Sequence, residues 1–356
     1  MHIAFFEIEN FLLEDSFSLK SYIFEIRKKK NNASICITTN AFNDFKKIIE
    51  YEQKEDMGAN LFSVSLTLDR DSLENEDAHV LADAIKESHT LQTLKLKFKK
   101  IGDKGTQALA IGIKSSKALQ ILDLNWNNMN DADARALADA IKISKTLQTL
   151  VLEFNDIGEG GVQALAKGIK ISKTLQLLKF KGINDEGAQA LAEGIKESKT
   201  LQTLVLGPNH IGDKGAKYLA EGIKESKTLQ TLNLGWNHIG DQGAKYLAEG
   251  IKESKMLHTL NLYENNIGDE GAKYLSVAIK ESKTLKNLDI SKNNIGDEGA
   301  NAISEVIKEN TSLKELNLSN YNISLEGEKN IEKALKQLKQ KYPNSLLEVI
   351  FLFFPR

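Results

Sequence analysis

Leucines and other aliphatic residues return along this chain in a compound rhythm. The pattern LxxLxL gives way to a turn containing Asn and Gly, and then to apolar residues at helical spacing. In one copy Leu229, Leu232 and Leu234 mark a strand with its leucines facing one way. Asn237, Ile239 and Gly240 follow as the turn, and Asp241 stands where a helix N-cap belongs. Ala244, Leu247, Ala248 and Ile251 then line one face of a helix. The frame recurs from Leu91, Leu119, Leu147, Leu175, Leu201, Leu257, Leu285 and Leu313, with a weaker copy from Ser63, so ten copies of nearly 28 residues are predicted. The copy at Leu175 is two residues short, and the one at Leu313 is longer. One strand and one helix cannot bury their apolar faces alone, so the copies must stack.

A stack of repeats needs caps, because an open end exposes its core. Residues 346–356 are predicted to form a C-terminal capping strand, with Leu347, Ile350 and Leu352 repeating the strand frame after a longer polar helix over Glu326–Lys341. At the other end Ile3, Phe6 and Ile8 fit the frame, as do Ile35 and Ile37, at spacings of 29 and 31 to the next copy. Residues 1–62 are therefore read as two degenerate capping copies, with a small separate α/β cap as the alternative. Residues 63–345 hold the ten repeats.

The run LxxLxLxxNxIGDxGAxxLAxxIK resembles the leucine-rich repeat of the ribonuclease-inhibitor type, which NOD-like receptors also carry. The resemblance covers about 280 of 356 residues. It implies an α/β horseshoe with an inner parallel sheet and outer helices. Strands pack about 4.8 Å apart and helices about 8–10 Å, so the helical wall must be the longer one.

Composition narrows the function classes. The chain has 47 basic and 49 acidic side chains, a net charge near -2, and no excess of positive charge for nucleic acid or anionic lipid. No run approaches the roughly 20 apolar residues of a membrane span. Met1–Asn10 mixes acidic with apolar residues and has no basic flank, so a secretory signal peptide is not expected. A single cysteine, Cys36, suggests a reducing compartment, and its β-like surroundings mark it as a structural thiol. Phosphate-loop, HExxH, CxxC and GxSxG motifs are missing from the sequence, so no enzyme, no cofactor and no metal site is predicted. His210 and His238 share one slot in adjacent copies, but two ligands with no third in register are read as solvated loop residues.

The informative positions are those on the strand that do not face the core. Slots 4 and 6 of each copy stay apolar, whereas slots 5, 7 and 8 vary. Slot 8 holds Arg70, Phe98, Trp126, Phe154, Pro208, Trp236, Glu264, Lys292 and Asn320. Both tryptophans of the chain sit there. Aromatic side chains dominate interaction hot spots. Phe98, Trp126, Phe154, Trp236 and Tyr263 are the predicted anchors for a partner protein on the concave face. Lys95, Lys97, Asp123, Glu153, Lys179 and Lys181 are predicted to orient it, and their mixed signs argue against a purely acidic or basic partner. The alternative for the aromatic rings is that they stack on one another and cover the sheet edge.

The expected function is a non-catalytic protein-interaction scaffold. The ribonuclease-inhibitor family similarly grips protein ligands with aromatic residues on this rim. The near-identical copies Leu201–Thr228 and Leu229–Met256, which agree at 24 of 28 positions, and the Lys/Asn/Ile-rich composition are similar to leucine-rich-repeat effectors of intracellular bacteria such as Legionella. That resemblance implies a eukaryotic host protein as partner and the host-cell cytoplasm as destination; an ordinary cytosolic scaffold is the other reading. The chain also resembles the GTPase-activating horseshoes of the Ran pathway, with Arg70 as the one candidate arginine, although their long acidic tail has no counterpart in Leu346–Arg356.

Overall fold

A computed structural model describes residues 5–8, 33–39, 62–68, 75–96, 101–319 and 322–350. The chain divides into two compact units, Met1–Ile157 with Ser172–Leu178, and Gly158–Ile171 with Lys179–Arg356. In the first unit strands β1 (Phe5–Ile8), β2 (Ala33–Thr39), β3 (Phe62–Leu68), β4 (Leu91–Lys95), β5 (Ile121–Asp123) and β6 (Thr149–Leu152) pair in parallel and in chain order. Helices α1 (Asn75–Glu87), α2 (Gly102–Ser115) and α3 (Asp131–Ile143) alternate with its later strands. Strand β7 (Leu177–Phe180) follows α4 (Glu159–Ile171). In the second unit β8 (Thr203–Val205), β9 (Thr231–Asn233), β10 (Thr259–Asn261), β11 (Asn287–Asp289), β12 (Glu315–Asn317) and β13 (Glu348–Ile350) again pair in parallel and in order. They alternate with α5 (Asp185–Glu197), α6 (Asp213–Glu225), α7 (Asp241–Glu253), α8 (Asp269–Glu281), α9 (Asp297–Ile307) and α10 (Leu325–Lys341). Each unit is thus α/β solenoid of the predicted class. Its core is built from the strand leucines and the Ala, Leu and Ile of the helices, such as Leu232, Leu234, Ala244, Leu247 and Ile251, all buried.

Register departs from the predicted frame at both ends. Phe6 lies opposite Ile35 as expected, but Ile35 lies opposite Val64 and Ile37 opposite Leu66. Strand β2 is thus shifted by two residues from the expected frame. At the other end Val349, not Ile350, lies opposite Leu316. The predicted Leu347/Ile350 frame is therefore one residue out, while Leu347 itself is buried. Leu352 lies outside the described residues. Among the described residues no helix is long and apolar enough to cross a membrane.

Two ladders join copy to copy. The first is made by the turn asparagine. The Asn237 side-chain amide donates to the carbonyls of Leu206 (2.8 Å), Leu234 (3.0 Å) and Gly235 (3.3 Å), and its Oδ1 accepts from the Ile211 N–H at 3.0 Å. Asn265 and Asn293 repeat the arrangement one and two copies on. A parallel strand leaving the sheet abandons its backbone partners, and this amide replaces them.

The second ladder corrects the expected N-cap. Gly240, not Asp241, precedes the first helical residue and brings no side-chain cap of its own. The cap comes from the preceding copy: Asp213 Oδ1 accepts from the N–H of Gly240 at 2.7 Å and of Gly243 at 2.8 Å. Asp185 serves Gly212 and Gly215, Asp241 serves Gly268 and Gly271, and Asp269 serves Gly296 and Gly299. A first-turn aspartate therefore places its carboxylate at the positive end of the neighbouring helix. Gly243 is glycine because a Cβ there would lie 2.6 Å from Asp213 Oδ1 and 2.6 Å from Ile239 Cγ2.

The last such junction tests the device. Asp297 accepts from the Ser324 hydroxyl at 2.7 Å and from its backbone N–H at 2.8 Å, and these bonds hold its carboxyl below the usual carboxylate range. The folded state favours the ionised form, so this stabilisation is complete above the unfolded-state pKa and is lost as pH falls through the lowered value. Ser324→Ala should raise the Asp297 pKa toward its ordinary value in an NMR pH titration. An unmoved titration would mean that the hydroxyl contributes nothing to the junction.

The outer charges also run between copies. Lys196 pairs with Glu225 at 2.9 Å, Lys224 with Glu253 at 2.8 Å and Lys252 with Glu281 at 2.7 Å. All are solvated, and exposed pairs of this kind add little stability.

Candidate functional site

In five copies the slot 8 residue sits in an unusual backbone conformation. Trp126, Phe154, Trp236, Glu264 and Lys292, all slot 8, have φ of 60°, 57°, 59°, 52° and 50°. This left-handed region favours Gly or Asn, and bulky side chains there carry strain of about 1–3 kcal/mol each. The conformation is held by the next copy. The Trp126 N–H donates to the Glu153 carbonyl at 3.1 Å, the Trp236 N–H to Tyr263 at 2.8 Å, and the Lys292 N–H to Ser319 at 2.9 Å. The consequence is that slot 8 turns its side chain outward while its backbone stays in the ladder.

In the first unit Trp126 stacks face to face on Phe154, with ring centroids 3.8 Å apart and planes 7° from parallel. Trp126 is nevertheless 43% exposed. In the second unit Trp236 is 50% exposed and leans on Tyr263 at 5.6 Å. The Lys292 ammonium lies 5.1 Å over the Tyr263 ring and 3.8 Å from the Glu264 carboxylate. Each unit thus presents one indole beside a second ring, and the second unit adds an ion pair beside its rings. Phe98 and Lys97 lie outside the described residues, as does Arg70.

The predicted orienting charges divide. Lys95 is exposed at the end of β4, in register with Asp123, and Lys179 and Lys181 are half-buried. Asp123 and Glu153 are only 9% and 7% exposed. Asp123 Oδ1 accepts from the Asn125 N–H at 3.1 Å, closing an Asx-type turn. Asn233, Asn261, Asp289 and Asn317 do the same for the residue two positions on, at 2.9, 2.8, 2.9 and 3.2 Å. Where slot 5 is Asp or Asn, it serves the turn. Recurrence of Asp and Asn in five copies at this slot was the available signal. Sequence reasoning also missed the positive φ of slot 8, although Asn320 in the same slot hints at it.

Among the described residues no group of three or more His, Cys, Asp or Glu side chains is placed to hold a metal ion. The side chain of Cys36, in β2, lies outside the described residues.

A family model described as a leucine-rich repeat matches residues 87–110, 115–138, 144–166, 197–220, 225–248, 253–276 and 281–304. No curated protein matches the chain. Among solved structures, an internalin from Listeria monocytogenes is similar at 17% identity, over 93% of this chain and 89% of that one, with a TM-score of 0.49. Actin-binding site 2 of leiomodin-1 is similar at 21% identity over 37% and 76%, with a TM-score of 0.32. The tropomodulin C-terminal domain of Caenorhabditis elegans is similar at 19% over 51% and 95%, with a TM-score of 0.34. At these scores the likenesses carry no argument about function. The repeated strand, turn and helix, the two copy-to-copy ladders and the seven matched segments make this chain a leucine-rich-repeat protein.

Proposed function

We propose that the chain is a non-catalytic scaffold that binds a partner protein on its strand face, with Trp126 and Trp236 as the principal anchors. The carrying observation is that both indoles stand exposed on strained, left-handed backbone where a smaller residue would cost less. Phe154 and Tyr263 brace them. Lys95, Lys179 and Lys181 supply orienting charge, and the Glu264–Lys292 pair rims the second indole. Asp123 acts through the turn geometry, and Glu153 keeps its proposed role as an orienting charge. Phe98 and Lys97, which lie outside the described residues, are included as proposed contacts on the strength of their sequence slots alone. The similarity to bacterial effectors directs the search to eukaryotic host proteins. The ribonuclease-inhibitor-like use of aromatic anchors is the mode of binding this reading adopts, on a chain working in the cytoplasm, its own or a host's.

The test is capture from eukaryotic lysate, read by mass spectrometry, with the parent chain beside Trp126→Ala/Trp236→Ala. A partner held by the first should bind the second at least about 30-fold more weakly, the effect of losing roughly 2 kcal/mol. Capture equal in both would refute the anchors. A companion variant separates binding from edge-covering. Trp236→Gly relieves the backbone strain while losing the Tyr263 contact, worth about 0.5–1.5 kcal/mol. Its thermal midpoint should stay level or rise. A drop of several degrees would show that the indole serves the fold instead.

A further inference from the structure

We propose that His210 and His238 form a binding site for a divalent transition-metal ion of the zinc class. Sequence alone counts two imidazoles in one slot and finds no third ligand. The geometry adds three observations. The first is distance. His210 Nδ1 and His238 Nε2 lie 3.3 Å apart, with the rings stacked at 5.5 Å and 25°. Two nitrogens bound at about 2.0–2.1 Å to one tetrahedral ion stand about 3.3–3.4 Å apart. The pair stands at hydrogen-bond distance in a stack, and rotation of the two exposed rings about their side-chain bonds turns both lone pairs toward one ion with little change in that separation.

The second is rigidity. Each histidine stands between a buried ladder asparagine, Asn209 or Asn237, and a fully buried isoleucine, Ile211 or Ile239. Its own N–H donates to the backbone carbonyl just ahead of the preceding copy's helix, His210 to Ile183 and His238 to Ile211, both at 2.9 Å. The two backbones cannot drift apart, so little ordering is needed when an ion binds.

The third is charge and access. Both side chains are exposed. The Asp185 and Asp213 carboxylates accept from the backbone two residues beyond each histidine, at Gly212 and Gly240, and bring negative charge near the pair. Neither carboxylate is offered as a ligand, since both cap helices. Water completes the coordination shell. The next two copies carry Asn266 and Asn294 in this slot, so the site is confined to one junction.

Those asparagines also supply fold-compatible variants. Zinc chloride should be titrated calorimetrically into the full chain, into His210→Asn, into His238→Asn and into His79→Asn, an exposed histidine on α1. The parent should show one saturable site, weakened at least about tenfold by either of the first two changes and unaltered by the third. Circular dichroism checks that all four chains are folded alike. No saturable zinc binding by the parent, binding that survives both single changes, or equal weakening by His79→Asn would overturn the assignment.

Discussion

Replacing Asn237 with leucine should lower the stability of the chain by about 3 kcal/mol. The side chain is 4% exposed and nearly isosteric with leucine, so packing changes little. What changes is hydrogen bonding. The Ile211 N–H loses its acceptor, and the carbonyls of Leu206, Leu234 and Gly235 lose a donor. Each buried group left unmet costs about 1–3 kcal/mol, and relaxation of the turn recovers part of the sum. Two copies are hurt at once, because the orphaned groups lie on both sides of their junction. Urea unfolding followed by circular dichroism measures the loss. The matched control is Asn266→Leu, exposed in the neighbouring turn, which should stay within about 0.5 kcal/mol. Equal effects from the two would show that exposure, and not the ladder, sets the value of a turn asparagine.

Gly243→Val should cost about 2–3 kcal/mol, through two causes that can be separated. The new side chain collides with Ile239 Cγ2, and it also displaces the Asp213 carboxylate from the helix start. Overpacking alone costs about 1–3 kcal/mol, and loss of an N-cap about 0.5–2. In a cycle with Asp213→Ala the penalty at position 243 should shrink, because the cap is already gone. Additive penalties would mean that the aspartate and the glycine act independently, contrary to the close approach between them.

Much of the architecture was legible because it is local. Leu232 and Leu234 announce a strand, and Ala244, Leu247 and Ile251 a helix, within one copy. The features that escaped are bonds that leave the copy. Asp241 looks like a cap for its own helix because capping motifs are read over a few residues, whereas its carboxylate serves Gly268 and Gly271 in the next copy. Asp123 looks like a display residue until its bond to the Asn125 N–H is seen. Val349 replaces Ile350 opposite Leu316 because the strand pattern survives a one-residue slip when several apolar residues run together. The shared slot of the aromatic residues was legible in the sequence. Their strained backbone was not, since conformation at one residue is set by hydrogen bonds to the following copy.

The relayed capping has a consequence for inheritance. A carboxylate in one copy fits the glycines of the next, and an asparagine in that next copy reaches back to the first. Every junction between Asp185 and Gly299 uses the same parts, so the donor and acceptor at a joint do not record which copies they came from. An unequal crossover that adds or deletes one whole 28-residue period therefore leaves each surviving joint chemically complete. A gene built this way can change its copy number in one recombination event and still encode a folded chain. Only slots such as 8 then remain for point mutation to diversify.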